Sequence, residues 1–133
     1  KVLFLCTGNS ARSQMAEGLL KHYGKGRFVV ASAGIAPVGV NPNAIDVMKE
    51  IGIDISEQTS DQVSREMLDW ADLLITLCGD AHENCPVVPG NIEKRHWPLS
   101  DPAQVERNVE EKIKSFRTVR DQLKVLVDGL IAE

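Results

Sequence analysis

Apolar and polar residues alternate along the chain in blocks that predict strands and helices in turn. Residues Lys1 to Cys6 form an apolar run with the length of a short buried strand, and a polar turn follows it. From Ser13 to Tyr23 the apolar residues recur at helical spacing, which predicts an α-helix. The N-terminal segment should therefore be a strand, a tight loop and a helix.

The alternation continues to the C-terminus. A second strand is predicted over Arg27 to Ala33, and a helix should begin at Pro42, because proline suits the first helical turn, and stop at Gly52. The remaining predicted elements are, in order, a short helix at 64–70, a buried strand at 71–77, a short strand at 93–97 and a long C-terminal helix with one apolar face formed by Ile113, Phe116, Val119, Leu123, Leu126, Val127 and Leu130.

Strands that alternate with helices imply a mostly parallel sheet with helices on both faces. We therefore expect an α/β fold with three α/β/α layers and a four-stranded parallel sheet, of the flavodoxin-like kind, in a single domain spanning residues 1–133. Ligands of such folds bind at the carboxyl ends of the strands. Cys6 and Cys78 both fall at such ends, so both should lie at the ligand-binding edge of the sheet.

The charge of the chain excludes two classes of partner. A net charge of −4 argues against binding to nucleic acid or to an anionic membrane, because both depend on clustered lysine and arginine. The apolar run at the N-terminus is also far shorter than the apolar stretch of a signal peptide or a membrane span. Three cysteines without an export signal fit a reducing compartment, where thiols tend to be catalytic or metal-binding. We expect a cytoplasmic monomer.

One segment combines a cysteine, an arginine and a serine between a strand and a helix. Its backbone N–H groups and the helix N-terminus should converge on one point and bind a tetrahedral oxyanion. Arg12 adds a planar fork that binds two oxygens of the anion, and the Ser13 hydroxyl should favour the thiolate of Cys6, its nucleophilic form. The segment consists of Cys6, Thr7, Gly8, Asn9, Ser10, Ala11, Arg12 and Ser13.

The sequence CTGNSARSQMAEG at residues 6–18 resembles the active-site segment of the low-molecular-weight tyrosine phosphatase fold, and specifically its thioredoxin-coupled arsenate reductase branch. The similarity covers essentially the whole chain, through SAGI at 32–35, TLCGD at 76–80, NCP at 84–86 and DPA at 101–103. Ala11 departs from the pattern, because relatives often carry a further cysteine there, to which no required step is assigned. The resemblance implies a phosphotyrosine phosphatase I-like fold in which Asp101, before Pro102, supplies the general acid or base over the anion.

The resemblance also implies the reduction of arsenate to arsenite by three thiols. Cys6 attacks the arsenic, Cys78 attacks the Cys6 adduct so that arsenite leaves, and Cys85 then attacks Cys78. If residues 79–84 were helical, the Cα atoms of Cys78 and Cys85 would be ~10.5 Å apart, so a disulfide between them requires that segment to unwind. Thioredoxin would then re-reduce the exposed bridge, and phosphate or sulfate would compete with arsenate for the loop.

Two other functions remain open from the residues. A protein tyrosine phosphatase of the same fold needs only Cys6, Arg12 and Asp101, but the loop at 35–39 lacks aromatic side chains that would stack on a phosphotyrosine ring. A phosphocysteine carrier protein, which passes phosphate to a partner, needs only Cys6. Essential roles for the other two cysteines would eliminate the carrier.

A metal site is a third alternative. Cys78, His82 and Cys85 have the spacing of metal ligands, with His96 not far along the chain. This interpretation leaves the Cys6 loop unrelated to the other two thiols, so the redox relay is favoured.

No cofactor should be required, although a potassium ion is an open alternative. Asn9, Glu17, Ser32 and Asp61 match positions that, in some members of the resembling family, surround a monovalent cation under the active-site loop. Their oxygen-rich side chains suit such an ion. The other interpretation is a hydrogen-bond network that supports the loop.

Overall fold

The protein alternates strands and helices as predicted, in a computed structural model that describes residues 1–78, 92–104 and 108–133. Its elements are, in chain order, β1 (Val2–Cys6), α1 (Arg12–Gly24), β2 (Val30–Gly34), α2 (Pro42–Lys49), α3 (Arg65–Trp70), β3 (Leu73–Cys78), β4 (Glu93–Leu99), a 3₁₀ turn (Pro102–Gln104) and α4 (Val109–Ile131). Within the described residues the strands form one parallel sheet of four in the order β2-β1-β3-β4. The predicted α/β fold class is confirmed.

Strand β1 lies inside the sheet and is buried along its whole length. It pairs with β2 as far as Cys6 opposite Gly34, and with β3 as far as Leu5 opposite Thr76. Because all these strands are parallel, their carboxyl ends meet at one edge of the sheet. The loop that follows Cys6 starts at this edge.

Apolar side chains cover both faces of the sheet. One face packs against α1, α2 and α4, and the buried residues of this cluster include Phe4, Leu19, Met48, Ile75, Phe116 and Leu123. The opposite face packs on α3, through Leu3, Leu5, Leu74, Met67 and Leu68. The three predicted layers are therefore present. Among the helices of the described ranges, none is long and apolar enough to cross a membrane.

Strand β2 begins three residues later than the sequence pattern predicts. The prediction covered Arg27 to Ala33, whereas the strand starts at Val30. The C-cap of α1, Lys25, adopts a left-handed conformation with φ of 49°, and the N–H of Arg27 donates to the carbonyl of Gly24. A turn therefore closes α1 over residues that the apolar pattern assigned to the strand.

The pairing of the edge strand β4 with β3 is irregular near its C-terminal end. Thr76 lies opposite His96, but Cys78 lies opposite Leu99, so three steps along β4 match two along β3. Pro98 falls within this stretch, where its missing N–H is tolerated because the strand is at the edge. Irregularities of this kind re-aim the residues that follow them. The segment that leads into the 3₁₀ turn begins directly after this irregular stretch.

A cluster of charged residues ties α4 to the end of α2. Glu50 accepts hydrogen bonds from Arg117 Nη2 and from Arg120 Nη1, both at 2.7 Å. Arg120 also donates to the carbonyl of Val47 at 2.8 Å. The hydrogen bond from Arg117 is the largest influence, and together with that from Arg120 it outweighs desolvation and lowers the pKa of Glu50 from 4.5 to about 2.

Replacing Glu50 with glutamine should make the free energy of unfolding depend less on pH in the acid range. Because the pKa of Glu50 is lower in the folded state, its contribution is complete above pH 4.5 and is lost as the pH falls toward 2. The carboxylate is partly exposed, so we expect a contribution of about 1 kcal/mol. Urea unfolding between pH 2 and pH 7 measures it, with the exposed Glu57→Gln as control. An equal effect of Glu50→Gln at both ends of this range would contradict the prediction.

Candidate active site

The loop between β1 and α1 turns its carbonyl groups outward. Asn9 has a positive φ of 44°, a conformation that asparagine adopts more readily than most residues. Four consecutive carbonyls accept hydrogen bonds from groups outside the loop. The pairs are Ala36 N–H to Thr7 at 2.9 Å, Val38 N–H to Gly8 at 3.1 Å, Gln14 Nε2 to Asn9 at 3.0 Å and Asn41 N–H to Ser10 at 3.0 Å.

The outward carbonyls direct the intervening N–H groups toward the centre of the loop, because the C=O and N–H of one peptide unit point in opposite directions. These N–H groups belong to residues 8–11. Helix α1 begins directly afterwards at Arg12, so the positive end of its dipole adds to the same region. This arrangement suits a multiply charged oxyanion.

Gly34 lets the end of β2 pass close to the loop. A Cβ atom at this position would lie 2.7 Å from the carbonyl oxygen of Thr7 and 2.8 Å from the nitrogen of Asn9, and both are backbone atoms. Neither atom is the end of a flexible side chain that moves away at little cost. Any side chain at position 34 must therefore displace the loop.

Gly34→Ala should weaken oxyanion binding, because the added methyl group displaces the backbone of the loop whose N–H groups converge on the anion. Overpacking of this kind costs about 1–3 kcal/mol. The rise in melting temperature caused by phosphate measures the binding, and we expect it to shrink markedly. Gly129→Ala in α4 is the matched control, because no atom lies within 4 Å of its added Cβ. A Gly34→Ala variant that phosphate protects as strongly as the wild type would contradict the prediction.

A buried chain of hydrogen bonds runs from the Cys6 thiol away from the loop. The Cys6 Sγ lies 2.9 Å from Ser13 Oγ, and Asn9 Nδ2 donates to Ser13 Oγ at 2.7 Å and to Ser32 Oγ at 2.9 Å. Ser32 in turn donates to Glu17 Oε1 at 2.5 Å. Because Ser13 already accepts from Asn9, its own proton can point to the sulfur and stabilise a thiolate.

Arg12 is held by the ends of two strands. Its Nη1 donates to the carbonyls of Leu77 at 3.4 Å and Leu99 at 3.0 Å, and only 3% of the residue is exposed. Its Nη2 lies 3.9 Å from Asp101 Oδ2. The guanidinium is therefore fixed in one orientation at the end of the sheet.

Asp101 and the 3₁₀ turn stand over the loop. The N–H of Ala103 donates to Asp101 Oδ1 at 3.0 Å, which fixes the carboxylate. A cavity of about 200 Å³ lies between this turn and the loop, and none of its lining residues within the described part of the chain is aromatic. Its lining consists of Cys6, Gly8, Ser10, Ala11, Arg12, Val38, Asn41, Asp101, Ala103 and Gln104.

Cys78 ends the strand next to the one that ends in Cys6. Both are buried thiols outside any disulfide. Since Leu5 lies opposite Thr76, Cys78 is diagonal to Cys6 across the pair of strands. A strand spacing of ~4.8 Å and a rise of ~3.3 Å per residue then put the two Cα atoms about 6 Å apart, within the range that a disulfide bridges.

Regular strand alternation would direct the Cys6 and Cys78 side chains to opposite faces of the sheet. Cys78 is the last residue of β3 and pairs with Leu99 across the irregular stretch, and Leu99 packs in the same apolar cluster as Cys6. Cys85 and His82 lie outside the described residues, so the structure leaves the rest of the relay and the alternative metal site as sequence predictions.

The sequence model of the low molecular weight phosphotyrosine protein phosphatases matches residues 1–133. The chain belongs to this family. An arsenate reductase of Halalkalibacterium halodurans is 57% identical over 122 residues, which are 92% of this chain and 88% of that protein. Another relative, an arsenate reductase in the phosphate binding state, has a TM-score of 0.83 at 41% identity, covering 98% of this chain and 95% of that one. The thioredoxin-dependent arsenate reductase of Corynebacterium glutamicum has a TM-score of 0.66 at 30% identity, covering 96% of this chain and 61% of that one.

Within this phosphatase-family site, several supporting groups were not predicted from the sequence. The side chain of Gln14 is fully buried and links the Asn9 carbonyl to the Thr59 carbonyl. The carbonyls of Leu77 and Leu99 orient Arg12. Gln14 had a signal, since it directly follows the loop motif, but the two carbonyls are backbone atoms of distant strands that residue types do not reveal.

The four residues expected around a monovalent cation meet through a network that already uses most of their polar atoms. Asp61 joins it through its backbone N–H, which donates to Asn9 Oδ1 at 2.8 Å, while its carboxylate accepts from a neighbouring threonine. Asn9 Nδ2 donates to Ser32 Oγ, and Lys21 Nζ lies 2.5 Å from Glu17 Oε2. These contacts form the hydrogen-bond network that the sequence offered as the other interpretation, and a bound potassium ion stays a prediction from the sequence.

Proposed function

We propose that the protein is an arsenate reductase that binds arsenate in the loop at 6–12, reduces it with three thiols and is re-reduced by thioredoxin. The observation that carries the proposal is a second buried thiol, Cys78, at the end of the strand adjacent to Cys6. A phosphatase of this family needs only one cysteine nucleophile. The identity to the Halalkalibacterium halodurans reductase and the likeness to the thioredoxin-dependent Corynebacterium enzyme support the same assignment.

Arsenate binds as a tetrahedral oxyanion. The N–H groups of residues 8–11 and the N-terminus of α1 receive its oxygens, and Arg12 binds two of them through its planar fork. Phosphate and sulfate have the same shape and compete for the loop.

The first step forms a bond between sulfur and arsenic. The Cys6 thiolate attacks arsenic(V), and one arsenic–oxygen bond breaks as the new bond forms. The departing oxygen leaves as water once it has accepted protons, and Asp101 at the cavity wall delivers one of them. The Ser13 hydroxyl stabilises the thiolate before attack.

The second step transfers two electrons. Cys78 attacks the sulfur of Cys6, a disulfide forms between them, and the electron pair of the sulfur–arsenic bond stays on arsenic, which leaves as arsenite. Cys85 then attacks the sulfur of Cys78, so that Cys6 returns as a thiolate and a Cys78–Cys85 disulfide remains. A thioredoxin dithiol reduces this bridge by thiol–disulfide exchange.

Hydrolysis of aryl phosphates is the second candidate activity, because Cys6, Arg12 and Asp101 line one cavity. A cysteinyl-phosphate mechanism needs no other groups. The cavity lining within the described ranges has no aromatic residue to stack on a phosphotyrosine ring, which favours a small oxyanion as the substrate.

Arsenate-dependent oxidation of NADPH, with thioredoxin and thioredoxin reductase present, tests the proposal. We expect one NADPH to be consumed for each arsenite formed, and none when phosphate replaces arsenate. Hydrolysis of an aryl phosphate is measured in parallel. Strong hydrolysis without any arsenate-dependent oxidation would make the protein a phosphatase and overturn the proposal.

A further inference from the structure

Asn41 is a polar residue in the wall of the active-site cavity that has no role in the reaction steps proposed above. It lines the cavity together with Cys6, Arg12 and Asp101. Its backbone N–H donates to the carbonyl of Ser10 at 3.0 Å, so its main chain is anchored to the anion-binding loop. The residue is partly buried and is the N-cap of α2. Its side chain therefore has a fixed place beside the space in which the anion binds.

The two ends of the Asn41 amide have different partners. Oδ1 accepts the N–H of Asn43 at 2.8 Å and so caps α2. None of the residues that the structure describes accepts a hydrogen bond from Nδ2, and this atom is open to solvent. Serine, threonine or aspartate would cap the helix with an oxygen alone. The capping role therefore uses only one half of this side chain and leaves its N–H groups available.

A tetrahedral anion in the loop has one oxygen that faces the cavity. In an in-line displacement, the nucleophile and the leaving oxygen lie on opposite sides of the central atom. Cys6 attacks from the loop, so the leaving oxygen points outward to the wall that contains Asp101 and Asn41. In arsenate or phosphate this oxygen is a free acceptor. In an ester it carries an organic group, which makes it a poorer acceptor and places carbon atoms against the wall.

We propose that Asn41 Nδ2 donates a hydrogen bond to this outward oxygen, and that Asn41 is a specificity-determining residue that favours a free tetrahedral oxyanion over its esters. The inference rests on the proposed function and deepens it, because arsenate is a free oxyanion whereas phosphate esters are the substrates of a phosphatase. Aspartate would cap α2 equally well, but its carboxylate would repel the anion. Asparagine supplies the cap and the donor without a charge.

The test compares the binding of inorganic phosphate and of methylphosphonate by isothermal titration calorimetry, at an alkaline pH at which both are dianions. Methylphosphonate keeps three oxygens for the loop but has a methyl group in place of the fourth, outward oxygen. Neither arsenate nor thioredoxin is present, so the result is independent of whether the protein reduces arsenate. Melting temperatures without ligand confirm that each variant is folded.

We expect Asn41→Ser to weaken phosphate binding about tenfold, the usual effect of losing one hydrogen bond to a charged group. Serine keeps an oxygen that caps α2, but its side chain is too short to reach the anion. Methylphosphonate should bind to Asn41→Ser and to the wild type with nearly equal affinity, because it has no oxygen for Nδ2 to contact.

Asn108→Ser is the matched control. Asn108 caps α4 in the same way, since its Oδ1 accepts the N–H of Glu111 at 2.8 Å, but it is exposed and does not line the cavity. This variant should lose a similar amount of thermal stability to Asn41→Ser, because both replace an asparagine cap with a serine cap. Its affinity for both anions should equal that of the wild type.

Two results would overturn the inference. If Asn41→Ser binds phosphate as tightly as the wild type, Nδ2 donates to no oxygen of the anion. If phosphate and methylphosphonate lose affinity equally, Asn41 supports the loop rather than contacting the outward oxygen. A protein that shows the expected selectivity but does not reduce arsenate would overturn the proposed function alone and leave the role of Asn41 intact.

Discussion

Serine variants of the three cysteines should differ in the amount of arsenite that each protein molecule forms. Cys6→Ser should form none, because no thiolate attacks arsenic. Cys78→Ser should also form none, because the Cys6 adduct has no second thiol to accept its sulfur. Cys85→Ser should form one equivalent and then stop, because the enzyme ends as a Cys6–Cys78 disulfide that no internal thiol resolves.

Rapid-quench measurement of arsenite against protein concentration gives these stoichiometries. Hydrolysis of an aryl phosphate serves as the control for an intact loop, and it should survive in Cys78→Ser and Cys85→Ser but not in Cys6→Ser. Repeated turnover by Cys78→Ser would disprove the relay. Repeated turnover by Cys85→Ser would show that the external reductant attacks the first disulfide directly.

Arg12→Lys should lower kcat/KM about 10²- to 10³-fold for both arsenate and aryl phosphate, the effect typical of losing one preorganised donor to an oxyanion. Lysine keeps the positive charge but lacks the planar fork that binds two oxygens. It also lacks the geometry with which Arg12 contacts the carbonyls of Leu77 and Leu99. The decrease in kcat/KM should be similar for both substrates, because both bind in the same loop.

The matched control is Arg65→Lys, the same substitution at a side chain that is 90% exposed on α3. It should leave both activities unchanged. Steady-state kinetics with each substrate provides the comparison. If Arg12→Lys retains activity within a few-fold of the wild type, charge alone suffices and the bidentate role of Arg12 is wrong.

Much of the site could be predicted because it is local in sequence. Cys6, Arg12 and Ser13 lie within one turn between a strand and a helix, and the spacing of apolar residues predicts both elements. The order of strands and helices could be predicted as well, since apolar residues recur with different periods in strands and in helices. Several predicted boundaries differ from the observed ones by a residue or two, such as the end of β4 at Leu99, because the period of an element defines its middle better than its ends.

The groups that orient these residues could not be predicted, because they come from far along the chain. One carbonyl that holds Arg12 is that of Leu99, 87 residues away, and it follows an irregular stretch of β4. Asp61 joins the network through its backbone, which its residue type does not indicate.

The outward-turned carbonyls of the loop have a consequence for selectivity. A receptor made largely of main-chain N–H groups responds to the shape and charge of an anion, and arsenate and phosphate present nearly the same shape and charge. Such a protein discriminates poorly at the moment of capture and must discriminate afterwards, because arsenic(V) accepts two electrons from thiols and phosphorus(V) does not. Abundant phosphate then slows the enzyme without being consumed, and the rate in a cell follows the ratio of the two anions rather than the arsenate concentration alone.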